Sequence, residues 1–202
     1  MLFLFSRRRF FEDLRSPKWT KLLRYCDYKK TVYVNKPFIN DLHADLATIL
    51  EYDGRYRDKI GILAFMLGND AEEALNFSKK QDYLDSLNLA EVERIIKKSG
   101  FIGIGRVKED LEGVVALVII HAPHEIKKKY LPIFLTAYKE KKLPFNDVKL
   151  LIDKIYTHET NTQIFGTQFG FWDETLHRRT LYPLMNAYER LKIIKELGFK
   201  LD

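Results

Sequence analysis

Apolar residues recur at intervals of three and four along most of the chain, the spacing that lines them up on one face of an α-helix. After Asn40 the series Leu42, Leu46, Ile49 and Leu50, with Asp41 near its start, predicts a helix over roughly 39–52. Asp53-Gly54 punctuates it, and Tyr56, Ile60, Leu63, Ala64 and Leu67 predict a second helical stretch ending near Gly68. Another helix is predicted over about 70–86. Asn88-Leu89-Ala90-Glu91 then reads as the cap of the next one, because an Asn side chain accepts a free first-turn amide proton while an acid three residues on reaches back. Val92, Ile95 and Ile96 form its buried stripe, and Gly100 ends it.

The segment Asp110–Ile120 is hydrophobic almost all round, which predicts a helix at the centre of the core, reaching His121. Pro123 suits the first turn of a following helix, whose apolar face is Ile126, Tyr130, Ile133, Phe134, Ala137 and Tyr138, with a kink expected at Pro132. Asn146-Asp147 is expected to cap a helix running through about Thr157, with Val148, Leu151, Ile152 and Ile155 inward. The pattern then changes period. Thr162 to Phe169 alternates polar and apolar residues and Thr175–Leu181 can return beside it, predicting a β-hairpin within about 162–182, closed by Pro183. Tyr188, Leu191 and Ile194 mark a final amphipathic helix over Asn186–Leu197, stopped by Gly198. The fold class expected is mainly α: a single helical domain over 39–202 with a small C-terminal β-hairpin, preceded by a basic segment over 1–38 that is packed on the domain or appended to it.

Composition narrows the class. With 14 Phe, 11 Tyr and 2 Trp in 202 residues the chain has ample material for a core, which excludes a disordered protein. A single cysteine, Cys26, excludes a disulfide scaffold and is compatible with a reducing compartment, so a cytoplasmic location is expected. No apolar run approaches the roughly 18 residues of a membrane span, so the chain is not expected to be transmembrane. The net charge of +6 is unevenly placed: residues 1–30 hold nine basic and three acidic side chains, and residues 31–202 hold 25 of each. The five apolar residues before Arg7-Arg8-Arg9 are too few for a signal-peptide core. The basic segment, with Trp19, Tyr25 and Tyr28 among its charges, either faces solvent or meets a protein, nucleic acid or anionic surface.

Gly100, Gly103 and Gly105 superficially suggest a dinucleotide fingerprint, but that motif follows a strand and opens a helix, whereas these glycines follow a helix and read as the turn ending it.

His121, Tyr130-Leu131-Pro132, Asp153-Lys154 and Gln163-Ile164-Phe165-Gly166-Thr167-Gln168 occur in one order. Over about residues 40–200 this resembles a bacterial family of uncharacterised proteins, a domain of unknown function marked by a C-terminal Gln-x-Tyr-Gly-Thr-Gln motif. The resemblance implies a helical architecture with a late hairpin and brings no established activity. The chain departs from the family at Ile120 and Pro123, where a Gln and an Asp are usual, at Phe165, which lacks the Tyr hydroxyl, and at Lys154, which replaces Arg. A polar relay built on those groups is broken here unless His124 or Glu125 substitutes.

The chemistry-bearing candidates follow from residue type. His121, at the end of an apolar helix, is either a core histidine satisfied by hydrogen bonds or a general acid–base group, and Asp153 is the carboxylate expected to orient it. Gln163, Thr167 and Gln168, with Lys154, are the expected ligand-binding residues, and a structural network tying the hairpin to the helices is the alternative for the first three. No metal site is expected, because Ala122-Pro123 interrupts His121 and His124, while His43, His158 and His177 are scattered, and no cofactor is implied. Two function classes result. The first is a polar small-ligand or enzyme-like pocket where His121, Asp153 and the Gln163–Gln168 segment converge; the second is a non-enzymatic interaction protein using the basic N-terminal segment and aromatics such as Trp19, Phe171 and Trp172.

Overall fold

A computed structural model describes residues 36–68, 70–173 and 178–199, without the side chains of residues 65, 171–173, 178 and 179. The expectations placed on residues 1–30, and on the side chains of Phe171 and Trp172, lie outside the described residues. The helices are α1 (Leu42–Gly54), α2 (Arg57–Leu67), α3 (Glu72–Ser99), a short 3-10 turn (Glu109–Leu111), α4 (Val114–His121), α5 (His124–Lys139) and α6 (Phe145–Thr160). Strands β1 (Phe169–Asp173) and β2 (Arg178–Leu181) pair antiparallel, and α7 (Ala187–Glu196) closes the chain. The architecture is mainly α with a small C-terminal hairpin, as the periodicity predicts. No helix among the described residues is long and apolar enough to cross a membrane.

Helix α4 has no polar face until its last residue, and it packs against α1, α3, α5 and α6. Val114, Val115, Ala116, Val118, Ile119 and Ile120 are all buried. Around them lie Leu46 and Ile49 of α1, Val92 and Ile95 of α3, Phe134 of α5, and Leu151 and Ile152 of α6. Each large aliphatic side chain removed from water contributes about 1.5–3 kcal/mol, so this one short helix organises a large part of the core. Asp41 caps α1 by accepting from the Ala44 amide at 2.8 Å, and Asn186 caps α7 by accepting from the Glu189 amide at 3.0 Å.

Four expectations are corrected. The helix expected over 70–86 and the one expected after Asn88 are a single 28-residue helix, α3. Asn88 is not a cap: it is fully buried in mid-helix, where its side-chain Nδ2 donates to the carbonyl of Ile49 on α1 at 3.0 Å. Helix α6 begins at Phe145 after Pro144, with no side-chain cap from Asn146 or Asp147. The alternating stretch Thr162–Gln168 is not a hairpin strand, because its amide protons are diverted: those of Ile164, Phe165 and Thr167 all go to the Asp153 carboxylate. The first strand starts only at Phe169.

The glycine trio follows a helix, and among the described residues no strand precedes it. Gly100 ends α3 at φ +74°, where an L residue is strained. At Gly103 a Cβ would stand 2.0 Å from the Lys142 carbonyl oxygen, which itself accepts from the Ile104 amide. Close backbone approach, not phosphate binding, accounts for that residue.

Asp153 is the hub of the C-terminal segment. Its Oδ1 accepts from the amides of Ile164 and Phe165 at 2.7 and 2.8 Å, and its Oδ2 from the Thr167 amide and hydroxyl at 2.8 and 2.9 Å. Replacing Asp153 with Ala strands three amide donors at once and is expected to cost about 3–5 kcal/mol in denaturant unfolding, whereas Thr167→Val removes one bond and costs about 1 kcal/mol. Equal costs for the two would show that the carboxylate does not organise the segment.

Candidate functional site

The polar counterpart to this core lies between α1, α3 and the end of α4. On α3, Gln81, Asp85 and Asn88 fall at i, i+4 and i+7, a single stripe of a helix. That stripe faces the last turns of α1. Gln81 is buried and fastens the corner between α1 and α2: its Nε2 donates to the Tyr52 carbonyl at 3.0 Å and to Asp85 Oδ1 at 2.7 Å, while its Oε1 accepts from the Tyr56 amide at 3.0 Å. Arg57, at the start of α2, is held by both neighbours. Its Nε and Nη2 meet Asp53 at 3.2 and 2.9 Å, and its Nη2 is 2.9 Å from each oxygen of Asp85.

The fourth member is His121. Its Nδ1 lies 2.8 Å from Asp53 Oδ1. Burial alone pushes the Asp53 carboxyl up, but the hydrogen bonds and positive charges supplied by His121 and Arg57 outweigh it, and the net shift is below the usual aspartate value. An ionised carboxylate has only acceptors to offer, so Nδ1 carries the proton and donates. In the neutral ring the other nitrogen, Nε2, presents a lone pair, and among the described residues it has no hydrogen-bond partner. The side chain is 24% exposed, enough for a ligand or water to reach it. A carboxylate that orients an imidazole with its far nitrogen free is the arrangement of a general base, with Arg57 keeping the carboxylate ionised.

The ring lines two cavities. One, of about 350 Å³, is bounded by Asp53, Asp82, Asp85 and Asn88 with Val118 and Pro123. The other, of about 410 Å³, includes Leu117, Asp147 and Lys154. Burial first, and then the charge of Arg57, push the Lys154 ammonium below the usual lysine value; burial and the charge of Lys154 do the same to Lys127. Burial also pushes Asp147 up.

The residues expected to form one site are divided between two places. The carboxylate that orients His121 is Asp53, not Asp153, whose two oxygens are both committed to the backbone and hydroxyl of residues 164–167. Asp153, Gln163, Thr167 and Gln168 line neither cavity that His121 lines. Gln163 is fully buried, its Nε2 donating to the carbonyls of Gln168 and Tyr182 and its Oε1 accepting from the Gln168 amide. Gln168 Nε2 donates to the Thr167 hydroxyl at 2.9 Å, completing a network that fastens this segment to the approach to α7. Lys154 alone of the four expected ligand-binding residues reaches a cavity beside His121. His124, the neighbour considered for a relay, stacks on His158 at 4.0 Å between ring centres and meets Glu159 at 3.1 Å. Among the described residues no group of three or more His, Cys, Asp or Glu side chains is placed to hold a metal ion.

Asp53, Arg57, Asp85 and Asn88 were not singled out by the sequence. Asp53 looks like a turn residue beside Gly54, and Asn88 like a cap. The usable signal was polar spacing: Asp53 and Arg57 are four apart, and Gln81, Asp85 and Asn88 share one stripe of a helix whose apolar stripe continues past them. Comparison of the chain with protein-family models, curated proteins and solved structures found no match.

Because the Asp53 carboxyl is held below its unfolded value, the stability it contributes is present above about pH 4 and is lost as pH falls through the lower folded value. Asp53→Asn is therefore expected to cost about 3 kcal/mol at pH 7, with the gap to the wild-type chain closing below pH 4 in urea unfolding series. A gap that stays constant over that range would show that the charge of Asp53 is not what the fold uses.

Proposed function

We propose that the chain binds a small polar ligand in the cavity beside His121 and moves a proton to or from it, with His121 Nε2 as the general base and Asp53 as its positioning carboxylate. The observation that carries this reading is the 2.8 Å contact of His121 Nδ1 with an ionised Asp53 while Nε2 is unpartnered among the described residues. Arg57 and Gln81 support it from behind. They occupy the outer faces of Asp53 and Asp85, so the carboxylates are fixed before a ligand arrives and no reorganisation is needed to aim the ring. Lys154, at the second cavity that His121 lines, supplies a cation there. Asp153 and the Gln163–Gln168 segment serve this site by holding the C-terminal part of the domain in place.

In the ¹⁵N-labelled full-length chain at pH 8, long-range ¹H–¹⁵N spectra are expected to show His121 as the Nδ1–H tautomer with an unprotonated Nε2. Asp53→Asn is expected to turn this into a mixture of tautomers. An Nε2–H imidazole in the wild-type chain would leave no base facing the cavity and would overturn the assignment.

A further inference from the structure

The second cavity beside His121, of about 410 Å³, lies along the seam between α4 and α6. Each helix lends it one stripe at i, i+3 and i+7: Val114, Leu117 and His121 from α4, and Asp147, Leu150 and Lys154 from α6. The middle of both stripes is apolar, and the α6 stripe is charged at its two ends. Lys154 marks the His121 end, because it feels the charge of Arg57, which grips the Asp53 carboxylate that His121 contacts. Asp147, two turns earlier and about 10 Å away along the helix axis, stands at the other end with Gly113. That distance keeps the two from pairing. Burial is the leading cause that pushes each toward its neutral form, and no opposite charge offsets it at either group. Both side chains are half-buried with their charged atoms in reach of water. A half-buried charge without a counter-charge is held at a cost that a ligand group of opposite sign removes.

We infer that the ligand of this cavity is an elongated zwitterion, an ω-amino acid in chemical class, whose carboxylate meets Lys154 at the His121 end, whose ammonium meets Asp147, and whose hydrocarbon lies on Leu117 and Leu150. A simple anion satisfies Lys154 and leaves Asp147 as it was, and a simple cation does the reverse. One molecule carrying both charges answers both ends and gives up its translational freedom once. The direction of the ligand follows from the second charge at each end. Lys127, on α5, is close enough to Lys154 to be depressed by its charge, and Asp110 lines the cavity beside Gly113. The volume suits a chain of several methylenes, at the lower end of the range of ligand pockets. The inference rests on the proposed site and adds the substrate class: an amino acid that presents its carboxylate end to His121.

The test titrates the full-length ¹⁵N-labelled chain with ε-aminocaproate, caproate and hexylammonium at matched ionic strength, each to roughly 100 mM, well above a millimolar Kd. The zwitterion is expected to give saturable shifts at both ends of the cavity, at the His121 ring nitrogens and the Lys154 amide and at the amides of Gly113 and Asp147. It is expected to bind roughly tenfold more tightly than either singly charged compound. Lys154→Met is expected to remove that advantage and leave hexylammonium no weaker, and Asp147→Asn to remove it and leave caproate no weaker. The unaffected compound in each case reports that the variant has kept its fold. Caproate or hexylammonium binding as tightly as the zwitterion, shifts confined to one end, or no saturable response to the zwitterion would overturn the inference. The tautomer measurement separates the two proposals. Zwitterion binding beside an Nε2–H ring would keep the ligand and remove the base, and an unprotonated Nε2 with no zwitterion binding would do the reverse.

Discussion

The structure depends on the burial of α4. Eight residues with no polar side until His121 can be stable only where other elements cover them all round, so α1, α3, α5 and α6 are gathered about this helix. That requirement also places the chemistry. The helix carries its only titratable side chain at its last position, where the apolar core gives way to the wall of two cavities. An imidazole at such a boundary needs a partner for one nitrogen and leaves the other for solvent or ligand. Asp53, at the C-terminal end of α1, meets the first requirement because α1 must pack on α4 to bury Leu46 and Ile49.

Two buried carboxylates are stabilised in different ways. Asp153 is surrounded by donors from one short stretch of chain, three amides and a hydroxyl, and has no free lone pair directed at a cavity. It folds a segment. Asp53 is held by side chains from two other elements, the guanidinium of Arg57 and the imidazole of His121, and it borders a cavity. Charge-assisted bonds to side chains that are themselves pinned, as Arg57 is by Asp85 and Gln81 is by Tyr52, make a rigid polar cluster with one titratable edge left open. The Lys154 and Lys127 ammonium groups are both depressed by burial, Lys154 further by the charge of Arg57 and Lys127 by that of Lys154.

The helical elements were legible because each carries its own period: the apolar series of α1, α5 and α6 mark their inward faces, and the unbroken apolar run of α4 marks the centre. The errors came where a local signal competed with a distant partner. Asn88 and Glu91 have the spacing of a capping box, yet α3 runs through them because Asn88 spends its amide on Ile49, a contact 39 residues away. Thr162–Gln168 has strand alternation, yet the amides of Ile164, Phe165 and Thr167 bind Asp153 and not a neighbouring strand. His121 was visible as a candidate from its place at the end of α4; its partner was not, because two aspartates, Asp53 and Asp153, were equally available by residue type.

The sequence by itself determined the mainly helical class, the central helix, the C-terminal hairpin and the place of His121 at the end of that helix, since these follow from periodicity and residue chemistry within a few turns of chain. Only the tertiary structure decided which carboxylate meets His121, that Gln81, Asp85 and Asn88 face α1, and that the Gln163–Gln168 motif is a fastening and not a wall of the cavity. Those facts are pairings between residues 25 to 68 positions apart, or commitments of a single carboxylate among several possible donors. Periodicity along a chain carries no information about either, because both are settled by how the apolar faces dock around α4.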